Sequence, residues 1–117
     1  MTVTPNLFCK RGDTYGFDLA MPNNLDGSLP DITGASCSWG VYRDAYTSIV
    51  YLYKTNLPIS TRTENGVQYA VVSVDLTPDD TASLPAGDLY HEAKIVLADE
   101  TIHSPDGIFR VLPSPNP

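Results

Sequence analysis

Few side chains in this sequence are of types that do chemistry, and their spacing limits what they can do. The chain has two histidines, His91 and His103, and two cysteines, Cys9 and Cys37. Neither cysteine belongs to a C-x-x-C pair, and neither histidine stands at a zinc-type spacing from them. A Ser-His-Asp set can be assembled on paper from so many serines and aspartates. No Gly-x-Ser-x-Gly elbow is present to raise one serine as a nucleophile. Asp75 with Asp79-Asp80, and Asn23-Asn24 with Asp26, offer oxygens of the kind calcium takes, but neither set follows the alternating spacing of a calcium loop. Helix capping and loop solvation account for them better. No glycine-rich phosphate loop occurs. Arg11-Gly12-Asp13 has the composition of an integrin ligand, and a turn whose glycine takes an unusual dihedral explains it more simply. His91 falls on the apolar side of its run and reads as a core histidine with one satisfied nitrogen. His103 reads as a surface loop residue. The expectation is a protein that is not an enzyme and carries no cofactor or metal.

Charge narrows the partners. Fourteen acidic and seven basic residues give a net charge of −7. Lys10, Arg11, Arg43, Lys54, Arg62, Lys94 and Arg110 are scattered, so a phosphate backbone is repelled and no nucleic acid is expected. The longest uncharged, mostly apolar run, about Ala45 to Leu52, is far short of the roughly 18 residues a membrane span needs. Met1-Thr2-Val3-Thr4-Pro5 has neither a basic nor an apolar leader region, so synthesis in the cytoplasm without a secretory signal is expected. There the two cysteines are expected as buried free thiols. Both fall in strand-like runs that could lie side by side, which leaves a disulfide as the alternative.

The elements that must hold these residues are strands. Ten prolines and eight glycines separate short runs over 117 residues, which argues against long helices. A chain of this length buries roughly two-thirds of its unfolded surface and folds as one domain without staples. Asn6 to Arg11 leads into the Arg11-Gly12-Asp13-Thr14 turn. Tyr15, Phe17, Leu19 and Met21 then alternate with Gly16, Asp18 and Ala20, one face buried. A polar loop from Pro22 to Pro30 precedes the turn Asp31-Ile32-Thr33-Gly34. In the run from Ala35 to Arg43, Ala35, Cys37, Trp39 and Val41 point one way. Ser48 to Lys54 sets Tyr51 and Tyr53 opposite Val50 and Leu52.

Asn65-Gly66 is a pair favoured in tight hairpin turns. Ala70, Val72, Val74 and Leu76 share one face of the next strand. Thr77-Pro78-Asp79-Asp80 opens a short helical turn with an N-cap, a proline at the first helical position and acids at the positive end of the dipole. Pro85-Ala86-Gly87 ends it. Leu89, His91, Ala93, Ile95 and Leu97 alternate in the following run, and a turn near Ala98 to Glu100 leads to Thr101 and Ile102. Gly107 to Leu112 points Phe109 and Val111 inward and Ile108 and Arg110 outward. Pro113 to Pro117 cannot pair in a sheet and reads as a tail. These runs predict an all-β sandwich of about seven or eight strands over residues 1–112, with one short helical turn near 77–84. Its core anchors are Phe17, Trp39, Val41, Val72, Val74, Phe109 and Val111. Tyr42, Tyr90, Ile108 and Val96 face outward and are expected to form a contact surface.

The order of the turn cassettes resembles a family of small phage virion modules, the immunoglobulin-like β-sandwich domains of tail and baseplate proteins. These include the N-terminal domain of baseplate upper proteins. The matching residues are Arg11-Gly12-Asp13-Thr14, Asp31-Ile32-Thr33-Gly34-Ala35, Trp39 with Arg43, Asp80-Thr81-Ala82-Ser83-Leu84-Pro85-Ala86-Gly87, and Gly107-Ile108-Phe109-Arg110-Val111. They span about residues 6 to 112. Leu89 departs from the pattern, standing where the family usually has Tyr, with Tyr90 one place later. The resemblance implies an immunoglobulin-like antiparallel sandwich and a structural role in a virion. Its partners would be other virion proteins and copies of itself, docked at the tail, baseplate or a fibre. Decoration of the capsid by the same fold and binding of host-surface glycans are the alternatives. The matched residues define turns, so the resemblance transfers no functional site.

Overall fold

The computed structural model describes residues 6–44, 49–98, 100–104 and 107–114. Among them nine strands and one helix follow in the order β1 (Leu7–Lys10), β2 (Tyr15–Ala20), β3 (Ser36–Tyr42), β4 (Val50–Thr55), β5 (Ile59–Glu64), β6 (Val67–Leu76), α1 (Pro78–Ala82), β7 (Gly87–Val96), β8 (Thr101–His103) and β9 (Gly107–Leu112). The larger sheet runs β1-β9-β7-β3-β4, with β8 beside the end of β7, and the smaller runs β2-β6-β5. The chain crosses between the sheets after β1, β2, β4 and β6, and the remaining connections stay within one sheet. This is the B-E-D and G-F-C-C′ division of an immunoglobulin sandwich, with β1 added along β9. No helix among the described residues is long and apolar enough to cross a membrane.

Two features differ from the expected all-antiparallel sandwich of seven or eight strands. The first is the count of nine, which includes the three-residue β8 and the largely exposed β5. The second is that β1 pairs with β9 in parallel, Leu7 to Phe109 through Lys10 to Leu112. The Arg11-Gly12-Asp13 turn carries the chain across to the other sheet, so β1 makes no hairpin and is free to lie along the last strand. Asn65 and Gly66, with φ of 51° and 78°, supply the two left-handed residues that a tight β5–β6 turn needs.

Alternation in β2, β6, β7 and β9 fills the space between the sheets as the patterning predicts. Trp39, Val41, Val72, Val74, Phe109 and Val111 are buried, and Phe17 packs against them partly buried. Each such aliphatic or aromatic side chain stabilises the fold by about 1.5–3 kcal/mol relative to exposure. At the centre Trp39 meets Phe17 at 5.2 Å and Phe109 at 5.7 Å between ring centroids. A buried indole N–H needs an acceptor, and Trp39 Nε1 donates to His91 Nδ1 at 3.2 Å. In disulfide-bearing relatives of this architecture the corresponding tryptophan packs on a bridge between the sheets. Here Trp39 packs instead against Phe17 of β2 and His91 of β7.

Three local expectations are corrected. A bulge in the β3–β4 pairing sets Val41 opposite Leu52 but Tyr42 opposite Val50. Val50 and Leu52 therefore face opposite sides, and Tyr51 packs partly buried against the core. His103 closes β8 rather than lying in a loop. Cys9 and Cys37 are buried free thiols but not neighbours, because β9 and β7 lie between their strands. At about 4.8 Å per strand they are too far apart to bridge. Residues 1–5, 45–48 and 115–117, including the start of the Ser48 run and most of the Pro-rich tail, lie outside the described residues.

Candidate functional site

The two turn cassettes, far apart in sequence, meet in space. Thr77 caps α1 by accepting from Asp80 N, and Asp80 reaches back to accept from Thr77 N at 2.9 Å. This reciprocal pair satisfies the free amides that open a helix. Thr81, fully buried, donates its hydroxyl to Asp13 O at 2.7 Å and accepts from Gly12 N at 3.0 Å. Arg11 Nη2 donates to Ala82 O at 2.8 Å, supplying a cation where the helix has free carbonyls. Gly12 adopts a φ of 86°, which favours glycine. Lys54 ties β4 to the same corner through Asp80 at 2.6 Å. Partial burial works against the charge on Asp80, but the bonds from Lys54 and Thr77 outweigh it and hold its pKa below the ordinary value. Leu84, just after the helix, is buried in the core, and Gly87 starts β7 with a φ of 131°. Arg11 to Thr14 and Asp80 to Gly87 thus form one structural corner.

The other candidates remain dispersed. Thr33 N donates to Asp31 Oδ1 at 3.0 Å, and Gly34 adopts a φ of 72°, which closes that turn. In the Pro22–Pro30 loop, Asp26 accepts from Ser28 N and Oγ, and Asn24 bonds Ser28, so the loop is closed by its own side chains. Among the described residues no three His, Cys, Asp or Glu come together as a metal-holding group. His91 is sealed in the aromatic cluster. His103 lies at the surface with Nε2 4.0 Å from Glu92 Oε1.

What the fold does assemble is a surface, the outer face of the larger sheet. Cross-strand pairing puts Val50, Tyr42, Tyr90 and Ile108 side by side across β4, β3, β7 and β9. Phe8 extends this band on β1, where it is 65% exposed. A groove of about 390 Å³ lies beside Phe8, between Asp88, Ile108 and Arg110, and a second of about 340 Å³ opens on its other side towards Tyr15. Arg110 and Asp88 pair at 2.7 Å on this face. Lys10, Lys94 and Arg110 against Asp88 and Glu92 give the strands of this face a balance of +1, although the whole chain carries −7. On the outer face of the smaller sheet, Asp18 is held by Arg62 and Ser73, alongside Tyr69 and Val71 of the same face. Those two hydrogen bonds, Ser73's the larger effect, lower the Asp18 pKa.

Tyr42 has a further role on this face. A Cβ on Gly40 would lie 2.5 Å from Tyr42 Oη and 2.7 Å from its Cζ. The ring therefore lies down over Gly40, and burial, with Tyr53 and Glu92 close to the hydroxyl, raises its pKa. The patterning identified Tyr42, Tyr90 and Ile108 as outward. It missed Phe8, because strand β1 is too short to show a period, and Val50, because the bulge is invisible in the pattern. Compared with known protein families and with curated proteins, the chain matches none.

Proposed function

We propose that this chain is a non-enzymatic phage virion protein, a rigid sandwich that docks onto tail, baseplate or fibre components. The observation that carries the reading is the band from Phe8 through Ile108, Tyr90 and Tyr42 to Val50. It joins apolar surface to the one sheet face on which acidic charge does not accumulate. Aromatic residues with few net charges are what the centre of a protein interface uses. β1 ends the larger sheet, and a neighbouring strand can join such an edge. The order of the turn cassettes, which resembles tail and baseplate modules, supports the same reading. Copies in such particles are related by symmetry, so partners include other virion proteins and further copies of this chain. Synthesis in the host cytoplasm precedes assembly.

The test is a cryo-EM reconstruction of the particle whose genome encodes the chain, repeated with Phe8→Asp and Tyr90→Asp. Density for the sandwich at the tail or baseplate is expected, lost in the variants while the free proteins stay folded. Density on the capsid lattice transfers the reading to head decoration. Absence from the particle, or incorporation unaffected by both variants, overturns it.

A further inference from the structure

The end of the larger sheet's outer face away from Phe8 has a different character. Along β3, between β7 and β4, the outward residues are Ser36, Ser38 and Gly40, the smallest side chains on that face. Their neighbours on β4 and β7 are taller: Tyr53 and Thr55 on one side, Lys94 and Val96 on the other. The result is a trench of about 260 Å³. Serines form its floor, and further along β3 the Tyr42 ring lies over Gly40. Asn56, held at a φ of 54°, stands at the other end.

Several hydrogen-bonding groups in this trench have no partner among the described residues. Ser38 is only 9% exposed, yet its hydroxyl has no partner among the described residues and is not sealed from solvent, so it opens into the trench. The Lys94 ammonium and the Asn56 amide have no partner among the described residues either. Against them stand the flat Tyr53 ring, 50% exposed, on one wall and the Val96 side chain on the other. A ring of hydroxyls with one apolar C–H face satisfies both halves of such a lining: the face lies on the tyrosine and the hydroxyls bond the serines, amide and ammonium. The volume is below the about 300–1,000 Å³ of pockets for drug-sized ligands, which suits a single sugar unit.

We propose that the trench between Tyr53, Ser38 and Lys94 binds one sugar unit of a glycan. The proposal goes beyond the docking role and does not rest on it: the trench adjoins the band at Tyr42, but Phe8 lies three strands away on β1 and lines no part of the trench.

The experiment screens the full chain on an array of bacterial-surface saccharides. Saturation-transfer NMR then follows with glucose, galactose, N-acetylglucosamine and glucuronic acid as probes at millimolar concentration. Binding to at least one saccharide is expected. Tyr53→Ala, which removes the flat ring, and Ser38→Val, which fills the floor, should each weaken it at least about tenfold. Ser38→Val keeps a residue suited to a strand, so folding is preserved, and Arg62→Ala on the opposite sheet should leave binding unchanged. No binding on the array and no transfer to any probe would overturn the proposal, as would binding that survives both trench variants. Sedimentation showing a dimer that Ser38→Val dissociates would mean a second copy fills the trench, and would also overturn it. Docking is read separately through the Phe8→Asp particle, so either idea can fail alone.

Discussion

Replacing Thr81 by Val isolates the joint between the two turn cassettes. Valine has nearly the shape of threonine, so the change leaves no cavity and removes only the hydroxyl. Two backbone groups then lose their partner: Asp13 O, which the hydroxyl reaches at 2.7 Å, and Gly12 N, which it accepts at 3.0 Å. A polar group left unpaired in a buried site costs about 1–3 kcal/mol. Because this corner is only partly buried, the two together should cost about 2–4 kcal/mol. For a domain of this size that lowers the melting temperature by roughly 10 °C. Urea unfolding followed by Trp39 fluorescence gives the free energy directly, and the slope m should not change, because the folded and unfolded surfaces are the same. Thr81→Ser keeps the hydroxyl and loses one methyl group, about 0.8 kcal/mol. The reasoning is refuted if Thr81→Val unfolds within about 0.5 kcal/mol of the parent, or if Thr81→Ser costs as much as Thr81→Val.

Two further outcomes follow from the ionisable groups. Asp18, Asp80 and Asp88 all have pKa values below the ordinary 3.8, so their stabilisation is fully present above that value and is lost as pH falls through the lower folded-state values. The urea midpoint should be flat near neutrality and drop below about pH 4; a midpoint that rises on acidification contradicts the assignment. Burial pushes the Cys37 thiol up to about 11 and raises that of Cys9 as well, Asp13 adding to the effect there. Both should be silent to a thiol reagent in the native protein and react in urea. An intrachain disulfide found by mass spectrometry under mild oxidant would contradict the strand order.

The parts of the fold that the sequence revealed are those set by local chemistry. Period-two alternation in Tyr15–Met21, Val67–Leu76 and Leu89–Leu97 identified buried faces, because one side of each strand touches only core. The Thr77 cap and Pro78 fixed the helix, and Asn65-Gly66 fixed a hairpin, because few other conformations suit those residues. Pairings between distant strands were hidden. Nothing in Leu7–Lys10 states that it runs parallel to β9, and nothing in Arg11 or Thr81 states that they meet. The bulge that reverses Val50 depends on the competing fit of two strands. The trench was hidden for a related reason: Ser36, Ser38 and Gly40 look like ordinary outward residues until β4 and β7 rise on either side of them.

The parallel pairing of β1 with β9 also determines how the molecule carries load. Tension applied before Leu7 and after Leu112 pulls two side-by-side strands in opposite directions along their length. The rungs from Leu7–Phe109 to Lys10–Leu112 then bear the force together in shear. In an antiparallel pair of terminal strands the same tension would peel the rungs one at a time. A sandwich wired in this way resists stretching through the chain while remaining open to sideways contact across its sheet faces.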